Sequence, residues 1–387
     1  MQATNKTSNT LCSKAWTDLN IRFGSNQLRH CCKAKSQKFP DELTTDFFNN
    51  NPDIIQRRQD LINGIENNQC QSCWNSYKST GTSYREHRNQ WHSVADISHE
   101  LQHIEIMLDN LCDMSCIYCT EHSSHKIAQE KGLSSRVQSP NVEHYSVFLD
   151  WLATLDYEYN LSFLGGELTY SKNFYNFLDA LVNDSRFNNK KIYLSLMTNG
   201  NTNATQLDKL FELYNSIPDS WNFLMVFSNE ATHELSELVR WGLDWNLYAD
   251  NFERYLSYSK VKTIGLCPTL SLFTVKGLYD YLDWAFACIR KHNKKVLLTG
   301  NWVDGDTILS PAYSTRIDMI PQLKTLIVDN KDLFESDRWY NECLQWIDQV
   351  SKILNTKQYT QQQLDEFLHS MSIQKKSDKV YKLVDFV

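Results

Sequence analysis

The sequence contains no run approaching the roughly 18 consecutive apolar residues that a membrane-spanning helix needs, so no membrane partner is expected. Its first ten residues, MQATNKTSNT, are polar and lack the apolar middle of a secretory signal, which points to a cytoplasmic location. An excess of positive charge is also missing. Lys plus Arg number 39 against 46 Asp plus Glu, and a net charge of -7 gives no general attraction to phosphate backbones, so nucleic acid is not favoured as a partner. There is no internal repeat and no low-complexity linker.

What is present is enough for a sizeable core: 387 residues, 41% hydrophobic and 12% aromatic, suited to one large domain with appendages or to two domains. The 11 cysteines are the conspicuous feature. Disulfide frameworks belong mostly to short secreted chains, whereas spaced cysteines in a cytosolic enzyme more often bind metal or catalyse. Their spacing therefore has to decide.

Residues 1–100 hold five of the cysteines, several polar stretches and little sustained periodicity, as expected of a small metal-stapled domain. From about His103 short apolar runs alternate with amphipathic segments, the pattern of repeated strand and helix units around a parallel sheet. Six strands are expected, over 103–108, 160–164, 191–197, 222–227, 263–270 and 295–298. Apolar residues at three- and four-residue steps mark helices between them: Val142, Tyr145, Phe148, Leu149, Leu152 and Leu155; Phe174, Phe177, Leu178 and Leu181; Leu207, Leu210 and Leu213; and 278–289. Right-handed crossovers would curl six such units into an α/β open barrel or twisted sheet, with chemistry at the carboxyl ends of the strands. Residues 101–312 form this unit, and 313–387 read as a helical extension in which 374–382 is a solvated charged stretch.

The loop after the first expected strand reads Leu111-Cys112-Asp113-Met114-Ser115-Cys116-Ile117-Tyr118-Cys119. Three thiolates on one tight loop can hold three corners of an iron-sulfur cubane, and structural clusters normally use four cysteines. Three leave one iron open to an outside ligand. The alternative is a zinc site completed by His122 or His125, or simply buried thiols.

This C-x3-C-x2-C spacing, with aromatic Tyr118 just before the third cysteine, resembles the signature of the radical S-adenosylmethionine enzymes. The resemblance implies a partial (β/α)6 TIM-like barrel and a catalytic 4Fe-4S cluster on Cys112, Cys116 and Cys119. It also implies that S-adenosylmethionine chelates the open iron, with Tyr118 packed near the adenine. Gly165-Gly166-Glu167 looks like the family's segment for the methionine ammonium, and Thr198-Asn199-Gly200 like a polar segment beside the cofactor. Ser228 is similar to a ribose contact, although Asn229-Glu230 follows it where aspartate and glycine are usual. Arg240 resembles an arginine that meets the methionine carboxylate.

Cys12, Cys31, Cys32, Cys70 and Cys73 form a second set. Cys12, Trp16, Gly24, the Cys31-Cys32 pair and Cys70-x2-Cys73 together resemble the auxiliary-cluster segment of SPASM and twitch radical enzymes, placed here before the barrel. That resemblance assigns Cys12, Cys31, Cys70 and Cys73 to an auxiliary 4Fe-4S cluster, with Cys32 as an alternative to Cys31 and zinc as an alternative to iron and sulfide. Cys267, Cys288 and Cys343 read as buried thiols. The implied activity is reductive cleavage of S-adenosylmethionine followed by hydrogen abstraction. A peptide or protein substrate is favoured over a carbohydrate or small metabolite, and flavodoxin or ferredoxin is the expected electron donor. A zinc-stapled binding protein without catalysis is the other function class.

Overall fold

The computed structural model describes residues 10–81, 83–89, 101–133, 138, 140–305 and 307–387. All six expected strands are present: β4 His103–Met107, β5 Tyr159–Phe163, β6 Ile192–Thr198, β7 Asn222–Phe227, β8 Thr263–Leu266 and β10 Lys295–Leu298. The stretch expected as one strand over 263–270 is two, because Pro268 has no N–H to continue a ladder. The chain resumes as β9, Thr269–Leu270, which pairs with β11, Asn301–Trp302.

Neighbouring strands from β4 to β10 run parallel and in sequence order, without a reversal. With crossovers of uniform hand, such an order sets the helices on one face and curls the sheet as in a partial barrel. The helices arise where the apolar stripes place them. Ser171 caps Lys172–Asn183 by accepting from the Phe174 N–H, and that helix buries Phe174, Phe177, Leu178 and Leu181. Glu143–Thr154 buries Phe148, Leu149, Trp151 and Leu152. Val142, expected on that stripe, instead occupies the cap position and is 65% exposed.

The amino-terminal region adds three strands beyond the six expected, β1 Asp18–Arg22, β2 Gln27–Arg29 and β3 Gln37–Lys38. β1 lies parallel to β4, so the nine-stranded sheet continues across residue 101, and β1, β2 and β3 close it as an antiparallel edge. At the other end of the chain, helices Met319–Asp329, Asp337–Ile353 and Gln361–Lys375 follow, as expected. The reading of 374–382 as solvated holds for Lys376, Asp378, Lys379, Tyr381 and Lys382, which are exposed, and fails at two positions. Lys375 and Val380 are buried, because the segment packs on Ile117, Leu235 and Leu238 and covers the underside of the cysteine loop. Among the described residues no helix is long and apolar enough to cross a membrane.

Candidate active site at the carboxyl ends of the parallel strands

The cysteine loop leaves β4 and is fixed from four directions. Ser115 N–H donates to the Trp241 carbonyl at 2.8 Å and Ile117 N–H to that of Val239 at 2.9 Å, docking the loop on the carboxyl end of the helix His233–Val239 that follows β7. Asp113 reaches the loop after β6: its Oδ1 accepts from Asn199 Nδ2 at 2.7 Å and its Oδ2 from Asn201 Nδ2 at 3.1 Å. Lys375, its side chain fully buried, donates to the Ser115 carbonyl at 2.6 Å and to Glu130 at 2.8 Å. Finally, the amide of Cys112 donates to His125 Nδ1 at 3.0 Å. Burial, and then the Lys126 charge, pull the His125 pKa down, which keeps that ring nitrogen free to accept.

The glycine pair after β5 serves this loop. A Cβ on Gly166 would lie 1.8 Å from the Leu111 carbonyl oxygen, and Gly165 has φ +127, a conformation open essentially to glycine alone. The close approach the glycines permit is therefore that of the Cys112 loop backbone, and Glu167 N–H donates to Leu111 O at 2.6 Å.

Glu167 is 3% exposed. Its Oε1 accepts from Thr169 N, Thr169 Oγ1 and Thr198 Oγ1 at 3.1, 2.8 and 2.9 Å, and its Oε2 from Asn199 N at 2.7 Å. Burial raises its pKa, and the nearby Asp113 adds to the rise, against those hydrogen bonds.

Tyr118 donates its hydroxyl to Glu230, and Arg240 lies over the Tyr118 ring at 5.7 Å. Arg240 is itself buried and held by Glu230, through Nε at 3.1 Å and Nη2 at 2.6 Å, while Nη2 also donates to Ser228 Oγ at 3.1 Å. Glu230 thus neutralises Arg240 and ties it to Tyr118. Removing either partner of such a buried pair would leave an uncompensated charge.

The structure brings Cys112, Cys116, Cys119, Tyr118, Gly165, Gly166, Glu167, Thr198, Asn199, Ser228 and Arg240 to this one end of the sheet. Sequence reasoning missed Asp113, Asn201 and Lys375, and it named His125 only as a zinc ligand and Glu230 only as a departure after Ser228. Of the three missed, only Asp113 had a local cue, its place inside the triplet.

The three thiols fit an iron-sulfur group. Burial raises all three, Cys116 to about 12, and ionisation of Cys116 further raises Cys112, as that of Cys119 raises Cys116. Thiols so placed give up their protons when a cation replaces them. Cys12, Cys31, Cys70 and Cys73 line a second pocket together with Ala15, Arg57 and Arg85. Burial, then the neighbouring Cys70 and Cys73, push Cys12 up to about 12. This donor set also fits a multi-thiolate group, and Arg57 leaves two buried N–H groups unpaired beside it. Among the described residues, no three His, Cys, Asp or Glu side chains are gathered as a site for a single metal ion. Cys267, Cys288 and Cys343 are buried, as expected.

No family model matches the chain, and no curated protein matches it. Solved structures similar to it include polyhistidine-tagged anSMEcpe with bound AdoMet, 19% identical with a TM-score of 0.40, over 59% of this chain and 60% of that one. TYW1 with a lysine-pyruvate adduct bound is 15% identical with a TM-score of 0.33, over 60% of this chain and 74% of that one. The chain thus spans 60% of the length of the first of these.

Proposed function

We propose that the chain is a radical S-adenosylmethionine enzyme. The observation that carries this reading is the placement of the Cys112, Cys116 and Cys119 loop at the carboxyl ends of the parallel strands, locked through Asp113 to Asn199 and packed on Gly166. When bound, the cluster supplies the single electron that splits the sulfonium of S-adenosylmethionine into methionine and a 5′-deoxyadenosyl radical, which takes a hydrogen from the substrate.

The chain's own residues bind and orient. Cys112, Cys116 and Cys119 hold the cluster. Glu167 Oε2 accepts a single hydrogen bond within the protein, and a carboxylate oxygen can accept two. It therefore retains capacity for the methionine ammonium, in a charge-assisted contact. Tyr118, Thr198, Asn199 and Ser228 line the adenosine side, and Arg240 steadies Tyr118 and Ser228. Cys12, Cys31, Cys70 and Cys73 hold the auxiliary cluster. Cys31 is favoured over Cys32 because Cys31 lines the pocket with the other three. A cytoplasmic setting, flavodoxin or ferredoxin as electron donor, and a peptide or protein substrate complete the reading. A carbohydrate or small metabolite is the alternative substrate class.

Anaerobic purification tests the proposal. A brown protein with about eight irons per chain that forms 5′-deoxyadenosine from S-adenosylmethionine and a reductant is expected. Replacing Cys112, Cys116 and Cys119 by alanine removes that product and leaves the amino-terminal cluster. A colourless zinc-loaded protein, or a triple variant that still forms 5′-deoxyadenosine, overturns it.

A further inference from the structure

Arg57 sits on the helix Pro52–Ile62 and is 2% exposed. Its Nε and Nη2 are both buried without a hydrogen-bond partner. Burying an unpaired guanidinium is strongly unfavourable, and folds rarely keep one without a compensating anion. The groups that act on it most, apart from its burial, are the thiols of Cys70, Cys31 and Cys12. The other cations nearby only sharpen the imbalance. Arg58 is the adjacent residue and donates to the Ala15 carbonyl at 2.9 Å. Arg85 lines the same pocket, stacks on Trp74 at 4.2 Å and leaves its Nη1 unpaired. The pocket thus gathers four thiols and two guanidiniums with unspent donors.

We propose that Arg57 is the built-in counter-cation of an anionic four-cysteine centre in this pocket, donating Nε–H and Nη2–H to its sulfur ligands and raising its reduction potential. This rests on the reading of Cys12, Cys31, Cys70 and Cys73 as a cluster site. A group bearing net negative charge satisfies the guanidinium that the fold leaves bare. Hydrogen bonds to ligand sulfur and nearby positive charge favour the reduced, more negative state. Arg85 contributes to the same field from the helix Tyr84–Asn89, and its pairing with Glu86 weakens that contribution.

The test uses the full chain with Cys112, Cys116 and Cys119 replaced by alanine, so that only the amino-terminal centre remains. Reconstituted with iron and sulfide, this protein is expected to hold about four irons. Its midpoint is then read by an EPR-monitored redox titration. Arg57→Met is expected to disfavour reduction at least tenfold, about 59 mV for a one-electron couple, and Arg57→Lys by less. If the parent takes up no iron and sulfide, the cluster reading itself fails. If it does, and Arg57→Met titrates at the same midpoint, the role given to Arg57 fails alone.

A second measurement covers an Arg57→Met protein that will not take up iron. Without the centre an unpaired cation destabilises the empty pocket, so Arg57→Met stripped of iron is expected to melt above the stripped parent. An Arg57→Met chain that melts lower, or does not fold, shows an arginine needed for packing and overturns the proposal.

Discussion

Lys375 lies 260 positions from Ser115 and yet fastens the cysteine loop. Its Nζ donates to the Ser115 carbonyl, to Ser115 Oγ at 2.8 Å and to Glu130 Oε2 at 2.8 Å, with no solvent exposure of its side chain. Lys375→Met keeps the apolar stem and deletes all three bonds. Breaking a buried pair by removing one partner costs roughly 3–5 kcal/mol. Here Glu130 keeps donors from Ser115 Oγ at 2.6 Å and Gln374 Nε2 at 2.9 Å, and its side chain remains 17% exposed. The expected loss is therefore nearer 2–3 kcal/mol, on the order of the stake of hydrogen bonds to charged groups.

Thermal and urea denaturation of Lys375→Met, Glu130→Gln and the double variant measure it. The two single losses are expected to overlap by about 1–3 kcal/mol in the cycle. The pH dependence has a definite sign. Burial raises the Glu130 carboxyl, and the bonds from Lys375, Ser115 and Gln374 more than offset this, so its folded pKa lies below the ordinary value. Its contribution is therefore complete above the ordinary glutamate pKa of about 4.3 and is lost as pH falls through the lower folded value. The stability gap between the wild type and Glu130→Gln should hold from neutrality to about pH 5 and shrink below about pH 4. A Lys375→Met penalty under about 0.5 kcal/mol, the scale of ordinary surface changes, would refute the anchoring role.

Two further predictions concern the turn after β5. Glu167→Gln turns an amide N–H toward the Asn199 or Thr198 donors, so the protein without any cofactor should lose about 1–3 kcal/mol in thermal denaturation. An unchanged melting temperature would show that Glu167 has no part in latching the loops. Gly166→Ala drives a methyl into the Leu111 carbonyl, 1.8 Å from the ideal Cβ position. The alanine variant should lose iron from the Cys112 site while the amino-terminal centre keeps its own, and iron analysis with EPR showing both centres intact would contradict that packing.

The parallel strands were legible in the sequence because their buried apolar residues alternate with residues on a half-exposed face. Ile104 and Ile106 in β4, Leu161 and Phe163 in β5, and Leu194 and Leu196 in β6 are all at most 1% exposed, and Glu105, Ser162 and Ser195 between them are not buried, which writes a period of two into the chain. β1 escaped notice for the opposite reason. Asp18 and Asn20 are buried polar residues on that strand, and they are tolerated only because each has a partner. Lys14 pairs with Asp18, and Asn20 donates to Glu105 on β4 at 3.0 Å and accepts from Arg29 on β2 at 2.8 Å. A polar residue that is buried by pairing across strands looks like a surface residue until the pairing is known.

The same limit explains the site. The cysteine spacing and the Gly-Gly-Glu turn are local and could be read directly. Several contacts that make them rigid join distant positions, 86 residues apart for Asn199 to Asp113 and 260 for Lys375 to Ser115. A three-cysteine loop alone could splay, since its own backbone offers little beyond the Cys119 N–H bond to the Cys116 carbonyl at 3.1 Å. Its geometry is imposed by the turn after β5 through Gly166, by the loop after β6 through Asn199 and Asn201, by the carboxyl end of the helix His233–Val239 through Val239 and Trp241, and by the carboxyl-terminal helix through Lys375. The proposed function needs this support because such chemistry depends on positions held within fractions of an ångström. The carboxyl-terminal helix, remote in sequence and silent in motif, is thereby part of the apparatus that holds the cysteines in place.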